Sequence, residues 1–90
     1  MSKGWFVYIV KCSDSSLYCG VTTDLDRRIE EHNSTSKGSK YVRSRRPAKL
    51  VYFEKVENRS RAQSRESAIK NLRRLQKLDL IRKFESKLLQ

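Results

Sequence analysis

The chain has no long hydrophobic run. Its longest, Trp5 to Val10, is six residues. A membrane helix needs about 20, and the apolar heart of a secretory signal about 7–15. The protein is therefore expected to be cytoplasmic and to have no membrane partner. Cysteine and histidine are equally sparse: Cys12, Cys19 and His32 are all there is. The two thiols form no CxxC pair, and one histidine cannot complete a four-ligand zinc site with them. They are expected to be reduced and semi-buried rather than bridged. There is no internal repeat and no linker-like stretch, so the 90 residues are expected to form a single domain over 1–90. A chain this short buries only about 60–65% of its unfolded surface, which keeps the core small.

Acids are scarce where bases are dense. Lys and Arg number 21 against 10 Asp and Glu, for a net charge of +11. The segment 37–49 holds Lys37, Lys40, Arg43, Arg45, Arg46 and Lys49 with no acid among them. Plain solubility is the bland explanation. An acid-free run of six cations instead concentrates polyanions and points to nucleic acid. No segment joins such a basic face to exposed bulky apolar residues, which argues against an acidic membrane surface.

Trp5 to Val10 is aromatic and β-branched at both alternating positions, as expected of a central strand buried on both sides. Ser13-Asp14-Ser15-Ser16 is a turn cluster, and Leu17 to Val21 a second short strand, so 5–21 reads as a hairpin. Gly20 weakens that strand and signals a bulge or a close approach by another backbone or a ligand. Thr22, Thr23 and Asp24 are capping types, which predicts a helix to about Asn33. Ser34 to Ser39 is a polar loop, and Lys40 to Arg46 holds at most a helical turn before Pro47. Leu50 to Phe53 is a third strand, ended by Glu57-Asn58. A second long helix is predicted from Ser60, with Ala62, Ile69, Leu72 and Leu75 on one face. Leu78, Leu80, Ile81, Phe84 and Leu88 predict a final helix, with a bend near Leu78-Asp79. The fold class is α/β of the α+β kind: a small three-stranded antiparallel sheet flanked by helices.

Helical phase sorts the polar residues. At about 100° per residue, Leu25, Ile29 and His32 fall within about 60° of one another, and Arg28 lies about 40° beyond His32. Arg27 points away. Arg28 and His32 thus border the buried stripe, a place that suits a snorkelling Arg and a structural His as well as a catalytic pair. Glu66 lies at the margin of the second helix's apolar face, where a carboxylate needs a partner. Lys70, one turn on, can pair with it. A divalent ion is the other solution, with hard oxygen ligands suited to Mg²⁺ or Mn²⁺. Tyr8 and Tyr18 sit on the two hairpin strands, where tyrosines usually serve the core but their hydroxyls need a partner or a cleft.

The order of these residues resembles the GIY-YIG nuclease pattern. Phe6-Val7-Tyr8 stands for the first motif and Tyr18-Cys19-Gly20 for the second. Arg28 follows eight after that glycine, then come His32 and, in a later helix, Glu66. The stretch LYCGVTTDLDRRIEEH, Leu17 to His32, is the most specific part. Arg43, Arg46-Pro47, Leu50-Val51-Tyr52 and Glu66 with Lys70 resemble the small stand-alone bacterial branch, related to the nuclease module of structure-specific endonucleases. The resemblance covers about residues 4–82. The first motif lacks its Gly and Ile, and Cys19 replaces the usual Ile or Val; these are apolar exchanges with consequences for packing.

The resemblance implies a metal-dependent endonuclease that hydrolyses phosphodiester bonds, with DNA favoured over RNA. Arg28 would bind the scissile phosphate. Glu66 would hold one divalent cation, Mg²⁺ or Mn²⁺, that stabilises the leaving oxygen. Tyr8 would activate the attacking water, with Tyr18 and His32 positioning it or sharing the task. A tyrosine base needs a depressed pKa, which nearby cations would supply. Lys40, Arg43, Arg45, Arg46 and Lys70 are the candidate contacts to flanking phosphates. The chain is expected to be a monomer, with room for a protein partner that supplies specificity. The competing reading is a DNA- or RNA-binding module that uses the same groove with little or no cleavage. Arg28 and Glu66 favour the enzyme, because a pure binder has no need of a carboxylate facing phosphates.

Overall fold

The structure, a computed structural model, describes residues 4–89. The expected domain over 1–90 thus includes residues 1–3 and 90, which lie outside the described residues. Strand β1 (Trp5–Lys11) turns into β2 (Leu17–Thr22) through the predicted serine-rich turn. Asp14 accepts from the Ser16 backbone at 3.0 Å, and Ser15 takes the positive φ of 68° that closes the turn. Strand β3 (Lys49–Val56) pairs on the other side, giving an antiparallel sheet of order β2-β1-β3. The aromatic and β-branched run is central, as its two-sided burial requires. A bulge opposite Ile9/Val10 lets Val51 and Tyr52 both serve the same face.

Helix α1 (Leu25–Ser34) starts on Asp24, whose carboxylate accepts from the Arg27 backbone at 3.1 Å. A single turn, α2 (Lys40–Arg43), is capped by Ser39. Asn58 caps α3 (Arg59–Lys70), and α4 (Arg74–Leu88) follows.

The expected bend near Leu78-Asp79 is displaced. The chain breaks at residues 71–73, where Asn71 caps the end of α3 and the Arg73 backbone N–H is taken by the Gln76 side chain at 2.9 Å. Leu72, Leu75 and Leu78 keep helical spacing through that break, which hides it from a periodicity argument. The phase shift turns Leu75 outward, 79% exposed, so it does not share a face with Ala62 and Ile69.

Alternation along the strands divides the core in two. Val7, Ile9, Cys19 and Tyr52 face α3 and α4 and pack with Ala62, Ile69 and Ile81. Tyr8 and Val10 face the other way, packing with Cys12, Val42, Ala48, Tyr18, Leu25 and Ile29 beneath α1 and α2. Both cysteines are free, as expected, and are buried rather than semi-buried. Among the described residues no helix is long and apolar enough to cross a membrane.

Candidate active site

The chemistry-bearing residues gather on the α1 face. Tyr8 is directed there by its strand parity and crosses the position of Gly20, its partner in β2. A Cβ at residue 20 would stand 2.5 Å from the Tyr8 hydroxyl oxygen. The close approach at Gly20 is therefore made by a side chain, the Tyr8 ring, and not by the backbone or ligand expected there.

The Tyr8 hydroxyl lies 2.7 Å from Nε2 of His32, and both side chains are fully buried. The other ring nitrogen fixes the sense of this bond. The Ser39 backbone N–H donates to His32 Nδ1 at 3.2 Å. Nδ1 is then an acceptor, so the neutral ring carries its hydrogen on Nε2 and donates to the Tyr8 oxygen. The hydrogen of Tyr8 itself is left to point elsewhere. Gly38 makes the loop's return possible: a Cβ there would meet the Glu31 carbonyl oxygen at 2.6 Å.

Burial sets the titration of this pair. It pushes His32 down to about 4, with Arg28 adding to the effect, so the ring is neutral at neutral pH. It pushes Tyr8 up to about 12, against the opposing pull of Arg28. The depressed tyrosine pKa expected for a general base is not what this environment produces, because desolvation outweighs the adjacent cation.

Arg28 and Arg27 separate as helical phase requires. The Arg27 side chain is 58% exposed, that of Arg28 25%. One nitrogen of Arg28 donates to Glu31 at 2.9 Å and to the Lys37 carbonyl at 3.0 Å, which orients the guanidinium. These contacts, with the Tyr8 hydroxyl nearby, outweigh burial and keep Arg28 charged.

The basic segment does not act as one unit. Lys40 and Arg43 are exposed. Arg46 is engaged with backbone: it donates to the carbonyls of Glu31, His32 and Thr35 at the end of α1. Nε and one terminal nitrogen are used in this way. Arg45 lies over the Tyr41 ring, 3.8 Å from its centroid, and pairs with Asp14 at 3.1 Å. Tyr41 in turn stacks on Tyr18, with centroids 5.9 Å apart, and Tyr18 sets its edge against His32 at 5.5 Å. Sequence reasoning passed over Tyr41, Glu31 and Ser39. An aromatic inside a run of cations was the available signal for Tyr41, and the helical i,i+3 spacing from Arg28 was the signal for Glu31.

Glu66 stands apart from the tyrosines. Its helix packs on the opposite face of the sheet, and its carboxylate pairs with Lys70 at 3.3 Å, the ordinary solution to its marginal position. It still approaches β2. The Cys19 thiol, pushed up to about 11 mainly by burial, is raised further by the Glu66 charge. Cys19 lies between Tyr18 and Gly20 on an edge strand, so Glu66 addresses from one face the strand that Tyr18 occupies from the other.

The model of the GIY-YIG catalytic domain matches residues 4–79. A UPF0213 protein from Desulfotalea psychrophila is 54% identical over 81 residues, 90% of this chain and 74% of that one. Another, from Clostridium perfringens, is 58% identical over 76 residues, 84% of this chain and 81% of the relative. The solution NMR structure of the UPF0213 protein BH0048 from Bacillus halodurans is 41% identical, covers 87% of this chain and 82% of its own, and superposes with a TM-score of 0.56. That of the protein EF2693 from E. faecalis is 40% identical over 93% and 88%, with a TM-score of 0.62.

Proposed function

The chain belongs to the GIY-YIG family, a nuclease superfamily whose members generally use a divalent metal, and we propose that it is itself an endonuclease that hydrolyses phosphodiester bonds, with DNA as the favoured substrate. The observation that supports this reading is the convergence of Tyr8, Tyr18, Arg28 and His32 on one sheet face. Arg28 is the phosphate ligand: oriented by Glu31 and the Lys37 carbonyl, it keeps donors for a nonbridging oxygen and stabilises charge that develops there. In the reaction a water oxygen bonds to phosphorus, the ester P–O bond breaks, the attacking water's proton passes to solvent, and the leaving oxygen takes a proton up from solvent.

Tyr8 is a neutral phenol at working pH, so its part is to orient that water or relay the proton. His32 is a positioning residue. Neutral and held by Ser39, it donates to the Tyr8 oxygen and turns the phenol's hydrogen outward. Tyr18 packs against the imidazole and keeps it in place.

Among the described residues no three His, Cys, Asp or Glu side chains form a group that would cage a metal. A lone carboxylate suits an ion that keeps several waters and takes phosphate oxygens from its substrate, which is the habit of Mg²⁺ and, with similar ligands, of Mn²⁺. The donor set fits that arrangement alone, with Glu66 as the protein ligand in place of its ion pair with Lys70. When bound, the ion supplies Lewis-acid stabilisation of the leaving oxygen. Lys40, Arg43 and Lys70 then serve flanking phosphates.

The high Tyr8 pKa and the Glu66–Lys70 pair favour a second reading, a nucleic-acid-binding module with little cleavage. One paired experiment decides. Cleavage of labelled duplex, single-stranded, flap and branched substrates is followed in Mg²⁺, Mn²⁺ and EDTA, with binding titrated alongside, for wild type and Glu66→Gln. The enzyme reading expects metal-dependent cleavage that collapses in Glu66→Gln while binding persists. Wild type that binds but cleaves nothing in either metal leaves the binding module.

A further inference from the structure

The polar network on the α1 face continues outward as a column of planes. Its inner end is the Tyr8–His32 bond. Tyr18 meets the imidazole edge-on, Tyr41 stacks on Tyr18 with 23° between the rings, and the Arg45 guanidinium lies over Tyr41. The column reaches solvent. Tyr41 is 39% exposed, and the Arg45 side chain keeps a third of its surface open.

Arg45 is an unusual surface cation in being fixed. Nε donates to Asp14, while one terminal nitrogen donates to the Tyr41 carbonyl at 2.9 Å and to Ser44 at 3.1 Å. A guanidinium used only as a phosphate contact gains nothing from lying flat on an aromatic ring with a carboxylate beside it. A flat, immobilised guanidinium on a tyrosine is the kind of surface on which an unpaired nucleobase stacks. Lys40 and Arg43, exposed on the same helical turn, offer charge for the backbone that such a base would carry.

Resting on the nucleic-acid reading above, we infer that the Tyr18–Tyr41–Arg45 column is a stacking platform for one unpaired nucleobase, so that the preferred substrate presents a single-stranded nucleotide beside the phosphate held by Arg28. The base adds as the next plane on Arg45, with Tyr41 as its support. A fully paired duplex cannot offer that base without unstacking it, and so forgoes the contact. Arg45 thereby selects by shape as well as by charge.

The test is a binding measurement in EDTA, which needs no cleavage. A single-stranded oligonucleotide carrying 2-aminopurine and a blunt duplex of the same sequence are titrated with wild type, Arg45→Lys, Tyr41→Phe and Tyr41→Leu. A DNA and an RNA version of the single strand show whether the sugar matters. Arg45→Lys keeps the charge and removes the plane. It should weaken single-strand binding about 5- to 100-fold, the range that losing one base stack produces, and abolish the change in 2-aminopurine fluorescence. Duplex affinity should move less than about twofold, which also reports an intact fold. Tyr41→Phe should behave as wild type and Tyr41→Leu like Arg45→Lys. Equal effects of Arg45→Lys on both ligands, or none on either, would overturn the platform and leave the nuclease reading standing. Wild type that binds neither ligand would remove both.

Discussion

The two faces of the sheet are made from the same three strands and have little else in common. The α3–α4 face is ordinary core: Val7, Ile9, Ala62, Ile69 and Ile81 interlock with no buried polar bond among them. The α1–α2 face buries a tyrosine hydroxyl, an imidazole and the carbonyl end of a helix, and supplies each with a partner. Every buried side-chain polar atom among the described residues has one. A small chain that devotes one face to polar contacts leaves the other to supply most of the apolar stabilisation. Damage to the first face should therefore register in chemistry and pH dependence, and damage to the second mainly in stability.

The sharpest way to break this comparison is at Arg28. Arg28→Ala should lower the cleavage rate by about 10²- to 10³-fold, the usual consequence of losing a donor to developing charge, while Arg27→Ala stays within about threefold. Single-turnover rates at saturating protein measure it. Equal losses would mean that helical phase does not decide which arginine meets the phosphate.

The next effect is on the acid limb of stability. His32 titrates in the fold near 4 and in the unfolded chain near 6.5. Between those values the unfolded state takes up a proton that the folded state refuses. Stability from the neutral ring is complete above pH 6.5 and declines as pH falls toward 4, by on the order of 3 kcal/mol. His32→Gln keeps an N–H for Tyr8 and has no proton to gain, so urea unfolding at pH 7, 6, 5 and 4.5 should show a flatter slope. Ile69→Ala, on the other face, should lower stability by about 2–5 kcal/mol with the slope unchanged. Parallel pH profiles for wild type and His32→Gln would sink the assignment.

The smallest effect separates two neighbours in the basic segment. Arg46→Ala orphans carbonyls at the end of α1 and should destabilise by about 1–3 kcal/mol while leaving the salt dependence of binding as it was. Arg43→Glu should do the reverse: stability stays within about 0.5 kcal/mol, and the slope of log affinity against log salt flattens by about one unit. Denaturant midpoints and salt titrations on the two variants provide the check.

Much of this was legible residue by residue. The central strand, the hairpin, the capped first helix and the sidedness of Arg27 and Arg28 follow from alternation, turn chemistry and 3.6-residue periodicity, all of them local. The break between α3 and α4 was not, because Leu72, Leu75 and Leu78 keep their spacing across it and only three-dimensional packing turns Leu75 outward. The backbone role of Arg46 was hidden for a related reason. Composition counts a cation, but whether its donors meet phosphate or carbonyl depends on where a helix end 11–15 residues away comes to rest. Tyr41 was hidden by its partner Tyr18, which meets it only when the sheet and α2 pack together, whereas Arg45 is a local neighbour four residues on.

By itself the sequence determined the elements, the family and the set of groups that carry charge, since each depends on residue type and spacing along the chain. Only the tertiary structure decided how those groups titrate and what they touch. Desolvation and hydrogen-bond partners come from distant segments, so it is packing that raises Tyr8, lowers His32, puts the imidazole hydrogen on Nε2 and turns Arg46 onto the end of α1.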